Sequence, residues 1–259
     1  MSPAFVEAVC RALAAAADPE RAPGQQRYMK SRMPYRGLTS AQLTKVMRPL
    51  LADEALAPRT GPEWEASVRA LWDGAAYREE RYAAQALLRH RRYAAHLTPA
   101  AVPLLAHLIT TSAWWDHVDD LASHPLGEVL RHHRREVTPV LRAWAVATTP
   151  IASADPPSTL SPAATDDGAL WLRRSAIIAQ LNHHDATDLD LLTDAIDANL
   201  ETNAQGEPTA YGREFFIRKA IGWALRQHAR TDPDWVRAFV AARGDRLAGL
   251  SRREALKHL

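Results

Sequence analysis

The stretch TTSAWWDHVDD, residues 110–120, sets two adjacent tryptophans and three acids inside a run otherwise built from Leu, Ala and Val. On a helix, Trp115 and Asp119 are four residues apart and share a face, whereas Trp114 points with Val118 and Leu121 to the other side. Trp114 therefore reads as core, and the pair Trp115 and Asp119 as facing something else. Two further segments repeat the theme: Trp171 with Arg174, and Trp223 with Lys219 or Arg226. An indole offers its face to a cation, a carboxylate answers positive charge, and arginine grips phosphate. Contributed by neighbouring helices, such a cluster suits a flat, cationic ligand attached to a phosphate backbone. The alternative is that the tryptophans are core and the charges are rim ion pairs.

The elements that must hold these residues are helical. Leu, Ala and Arg dominate the 259 residues, and glycine is scarce, a helical composition. Periodicity predicts helices near 3–18, 24–32, 40–55, 62–73, 77–95, 99–110, 112–123, 126–134, 137–147, 168–181, 187–200, 212–229, 233–242 and 251–258. No segment alternates with period two for long enough to read as a strand. Thr98 with Pro99, and Thr231 with Asp232 and Pro233, mark helix starts. Residues 148–168 read as an exposed Pro/Ser/Thr-rich loop, and 201–212 as a shorter turn-rich insertion. Neither looks like a boundary, so one domain over residues 1–259 is expected. The segments at 79–88, 171–181 and 216–227 resemble one another; Arg174 and Lys219 are 45 residues apart, and Arg81 and Arg174 are 93 apart. A period of about 40–47 belongs to solenoids of HEAT-type helix pairs, whose concave side can follow an extended partner. An irregular helical bundle is the alternative.

Other chemistry is disfavoured. The single cysteine, Cys10, leaves no disulfide framework and no cysteine-based metal site. The pairs at His132–His133 and His183–His184 lack ligand spacing, so no metal is expected. Phosphate-loop, dinucleotide and nucleophile-elbow motifs are missing, and no cofactor is expected. The N-terminus reads as an amphipathic helix rather than a leader, and no apolar run reaches a membrane span, so the protein is expected in the cytoplasm. Of 32 basic residues four are lysines. Arginine suits bidentate phosphate recognition, although a GC-rich genome would give the same bias. The runs at 89–92 and 131–135 and the 213–230 helix, which carries Lys219, could reach phosphates or be solvated helix faces.

The segments YMKSRMPYRG (28–37), TTSAWWDHVDDLASHPLG (110–127), WLRRSAIIAQL (171–181), EFFIRKAIGWALRQHARTDPDWV (214–236) and LSRREALKHL (250–259) together resemble the AlkD-like DNA alkylation repair glycosylases. The resemblance runs in order over nearly the whole chain. It implies an all-α, HEAT-like solenoid whose concave face holds duplex DNA. It also implies hydrolysis of the bond between deoxyribose and a positively charged alkylated purine, such as 3-alkyladenine or 7-alkylguanine. The catalytic carboxylate then falls on Asp119, the lesion-side tryptophans on Trp115 and Trp223, and the DNA-contacting arginine on Arg174. Arg173 is a rival only if the alignment slips by one. Phe215 and Phe216 match as packing residues. Tyr28 and Arg32 lie in the N-terminal DNA motif, where Arg32 replaces an expected glutamine. The purine already carries charge and leaves readily, so one carboxylate suffices to stabilise the growing cation and place water. The damaged base need not enter a tight pocket, unlike in base-flipping enzymes. A monomer is expected. A non-catalytic HEAT-like binder of DNA structures or proteins, and a self-resistance enzyme for a DNA-alkylating natural product, are the competing readings.

Overall fold

The computed structural model describes residues 3–148 and 168–259. The predicted loop at 148–168 thus lies almost wholly outside the described residues. Among these there are fourteen α-helices and no strand, only one isolated bridge, between Thr202 and Pro208. The chain is all-α. No described helix is long and apolar enough to cross a membrane. The described residues form two compact units, one running through Leu97 and the other beginning at Thr98.

The first unit contains α1 (Pro3–Ala15), α2 (Ala22–Tyr28), α3 (Ser40–Ala52), α4 (Gly61–Asp73) and α5 (Arg78–Arg89). Thr39 and Thr60 cap α3 and α4 by accepting the backbone N–H groups of Gln42 and Glu63. Phe5, Val9, Leu13, Met47, Val68, Trp72 and Leu87 supply the core. Four consecutive charged residues of α5, Arg78 to Arg81, are also buried. Glu79 shows how such burial is tolerated: its carboxylate accepts the N–H groups of Arg36, Gly37 and Leu38 at 2.9–3.2 Å. This pins the extended strand-like segment before α3. There Met29, Ser31, Met33 and Tyr35 turn inward while Lys30, Arg32 and Pro34 are exposed.

The second unit contains α6 (Val102–Ser112), α7 (Trp115–Leu121), α8 (Gly127–His132), α9 (Arg134–Ala145), α10 (Gly168–Ile178), α11 (Leu189–Asp197), α12 (Phe215–His228), α13 (Pro233–Arg243) and α14 (Gly249–Ala255). Every residue of α10 is buried, as its nearly continuous apolar sequence requires. It packs against α6, α7, α9, α11 and α12. The predicted helices are present, with three instructive breaks. The helix expected at 77–95 ends at Arg89 and gives way to a 3-10 turn at Arg91–His96. The helix expected at 112–123 starts only at Trp115, because Ala113 adopts a left-handed φ of 45° and Trp114 is extended. A π turn, Ala122–Leu126, then absorbs Pro125, which has no N–H to give to the helix ladder. Of the expected caps, Asp232 accepts the N–H of Trp235, whereas the Thr98 side chain makes no capping bond.

Candidate active site

Two arginines side by side in a fully buried helix must find partners, because an unpaired buried charge is very costly. Arg173 donates to the carbonyl of Ala147 at 2.6 Å and to Asn199 Oδ1 at 2.9 Å, and lies 4.5 Å above the Tyr211 ring. It is spent inside the fold. Arg174, one residue on, points about 100° away and reaches α7. Its Nε and Nη2 donate to the two carboxylate oxygens of Asp119 at 2.7 and 2.8 Å. Its Nη1 donates to the carbonyl of Phe216 at the start of α12. The guanidinium thereby ties three helices together.

The Arg174 side chain is only 5% exposed, and that of Asp119 16%. Despite the bidentate partner, the Asp119 carboxyl titrates above its ordinary range. Burial pushes it up, more strongly than the bonds and charge of Arg174 pull it down, and Asp116 and Asp120 add to the rise. The Ser123 hydroxyl donates to the Asp119 carbonyl at 2.6 Å, and Asn182 donates to the carbonyl of Ser123 at 2.8 Å. The turn after α10 is thus bonded to the π turn after α7.

Trp115 is the first residue of α7, half-buried, and shares the helix face of Asp119 by its spacing of four. Trp223 is half-buried on α12. It stands seven residues beyond Phe216, roughly 10 Å along the axis at about 1.5 Å per residue. Lys219, one turn before Trp223, lies 3.5 Å from Glu254, which also pairs with Arg226 one turn after it. Desolvation is the largest single influence on the Glu254 carboxyl and raises it, but the charges of Lys219, Arg226 and Lys257, with the hydrogen bond from Lys219, together hold it below its ordinary value.

Several side chains differ from their sequence reading. Trp114 is half-buried rather than core, since it precedes the helix whose face it was expected to share; its ring meets Phe216 edge-on at 5.7 Å. Trp171 is core, 2% exposed, and packs on Phe216 at 5.0 Å. It does not join Arg174 facing a ligand. Phe215 is 57% exposed at the first position of α12 and touches the core only through the edge of Phe216, whereas Phe216 packs on Trp114 and Trp171 as well. In the first unit, Tyr28 is 77% exposed at the end of α2, and Arg32 is exposed. In the 131–135 run, Arg131 and Arg134 donate to the carbonyls of Asn182 and Ala186. The insertion at 201–212 closes on itself by bonds from the Asn203 N–H to the Glu207 carbonyl and from the Thr209 N–H to the Glu201 carbonyl, and the Glu201 N–H ties it to the Arg246 carbonyl outside it. Sequence reasoning missed the bond between Arg174 and Asp119 and the role of Glu254. Two buried arginines in an apolar helix were the one available signal for the former.

Among the described residues, no group of three or more His, Cys, Asp or Glu could hold a metal ion. No curated protein matches the chain. One similar solved structure is described as a predicted DNA alkylation repair enzyme from Enterococcus faecalis. It is 26% identical, with a TM-score of 0.71, and the match covers 94% of this chain and 96% of that one. The profile of DNA alkylation repair enzymes matches residues 9–149 and 157–259. With nearly the whole length matched, the chain belongs to the DNA alkylation repair enzyme family.

Proposed function

We propose that this DNA repair protein is a glycosylase that hydrolyses the N-glycosidic bond of positively charged alkylated purines in duplex DNA. The observation that carries the reading is the Asp119 carboxylate, largely buried and gripped on both oxygens by Arg174. A carboxylate held in a fixed direction within a poorly hydrated site stabilises a sugar cation far better than one in water. Asp119 then serves as the charge stabiliser and the acceptor for attacking water. Trp115 and Trp223 offer π faces to the cation and exclude bulk water.

Arg174 is in this reading first of all the residue that orients Asp119. A contact to a flanking phosphate, expected from the resemblance, is open only to the N–H groups not given to Asp119 and Phe216. Lys219, Tyr28 and Arg32 are proposed as further DNA contacts; Glu254 restrains Lys219 until a phosphate competes for it. The protein is read as a cytoplasmic monomer that needs no cofactor and begins base excision repair, its two units working as one domain. Adduct size is set by the groove rather than by a closed pocket, so bulky adducts belong to the proposed substrates, including those of a self-resistance enzyme.

The test is base release from duplexes carrying 7-methylguanine or 3-methyladenine, by the wild type and by Asp119→Asn. Release by the wild type, near-loss in the variant and retained DNA binding support the reading. Binding without release, extended to bulky adducts, would leave a non-catalytic DNA-binding protein.

A further inference from the structure

Within the first unit, the turn joining α3 to α4 faces the 3-10 turn that follows α5. Two adjoining hollows of about 580 and 500 Å³ lie there and meet at Arg92. The first is lined by Glu54, Pro58, Arg59, Arg92, Tyr93 and His96, the second by residues that include His90 and Arg91. The Glu63 carboxylate, which lines neither hollow, accepts the Arg59 backbone N–H at 2.9 Å, and among the lining residues three arginines and two histidines face one carboxylate.

That carboxylate is a weak competitor. The Glu54 side chain is 91% exposed and lies 3.7 Å from Arg92, an arrangement that contributes little in water. Arg59 donates from Nε to the Glu54 carbonyl at 3.3 Å, and its terminal nitrogens have no partner among the described residues. The floor is rigid. Tyr93 is buried, donates its hydroxyl to the Pro58 carbonyl at 3.0 Å, and so bonds one wall to the other. Its ring lies near those of Trp64, His90 and His96. The arginines consequently project from fixed walls, so that binding has only their side chains to order.

We propose that this cleft binds phosphates of the DNA backbone, through Arg59, Arg91 and Arg92. It rests on the reading above that duplex DNA is the substrate. Arginine's planar fork matches a phosphate in two-pronged fashion, and a run such as Arg91–Arg92 follows a chain of charges rather than a single one. Burial and the neighbouring Arg92 and Arg91 hold His90 below its ordinary pKa. A phosphate seated on those arginines would offset the two charges and move His90 upward, giving a local reporter.

The experiment uses the full chain and undamaged duplex, with binding followed by fluorescence anisotropy over a range of salt concentrations. Arg59→Gln/Arg91→Gln is expected to bind several-fold more weakly and to flatten the salt slope by about 2, at roughly 0.9 per lost phosphate contact. NMR titration should show His90 rising when duplex is added to the wild type. Wild-type affinity and slope in the double variant would overturn the proposal. So would inorganic phosphate or polyglutamate that moves His90 as strongly as duplex at matched charge, since the cleft would then serve a free anion or an acidic protein. If the double variant shows the expected loss of affinity and slope change but the wild type releases no base, the glycosylase reading fails and the cleft stands.

Discussion

Arg174 holds both carboxylate oxygens of Asp119, at 2.7 and 2.8 Å, yet Asp119 titrates above the ordinary carboxylate value of 3.8. Burial outweighs the partner. The pair therefore keeps the carboxylate directed while leaving it poorly solvated, which suits a group that must answer a developing cation.

Arg174→Gln removes the charge that holds the Asp119 carboxyl down, and leaves a buried acid uncompensated. On the proposed role of Asp119, the acid limb of the pH–rate profile is expected above 3.8 in the wild type and at still higher pH in the variant. Stability should fall by about 3 kcal/mol, as for other broken buried pairs. Arg174→Lys should restore part of the pH profile. An unchanged acid limb in the glutamine variant would show that Asp119 is not the group titrating. The sign for stability is opposite in sense: a raised carboxyl makes the fold firmer as pH falls and loses that contribution as pH rises through the folded value.

Phe216 meets Trp114, Trp171 and Phe215 and lends its carbonyl to Arg174. Truncation to alanine is expected to cost about 3–5 kcal/mol and to change tryptophan fluorescence. Phe215→Ala, at an exposed position, should cost well under about 1 kcal/mol. Urea unfolding of the two variants separates core from surface.

Gly222 lets α14 approach α12. A Cβ there would stand 2.6 Å from the Glu254 Cβ and 3.3 Å from Ser251. Gly222→Ala is therefore expected to destabilise by about 1–3 kcal/mol through overpacking and to displace Trp223, its chain neighbour. Thermal unfolding and indole quenching by acrylamide would both register the change; an unaltered protein would mean that α14 does not set the position of α12.

His183 is buried, donates from Nε2 to the Gly127 carbonyl at 2.9 Å, and has a pKa lowered by burial to about 4. The unfolded chain then binds the proton more tightly. Stability from this group is complete above about 6.5 and is lost as pH falls toward 4, by about 3.5 kcal/mol in all at ~1.4 kcal/mol per unit. His183→Gln should flatten the stability profile between those values. His228, also lowered by burial, keeps a residual slope of the same sign.

Much of the fold was legible because helical periodicity and capping are local properties. The breaks at Ala113, Pro125 and Arg89 were not, since a left-handed residue, a π turn and a 3-10 turn hardly disturb the apolar pattern around them. The spacing of Trp115 and Asp119 was enough to set them on one face, because both lie inside α7. Trp114, just outside it, escaped the rule.

By itself, the sequence determined an all-helical chain, the family, and the residue types from which a cationic, phosphate-linked ligand could be recognised. Only the tertiary structure decided which of two adjacent arginines meets the carboxylate, which tryptophans are core, and where the π turn lies. The reason is geometric: successive residues on a helix diverge by about 100°. Their partners belong to helices remote in sequence, 55 residues away for Arg174 and Asp119, and no local pattern records that distance.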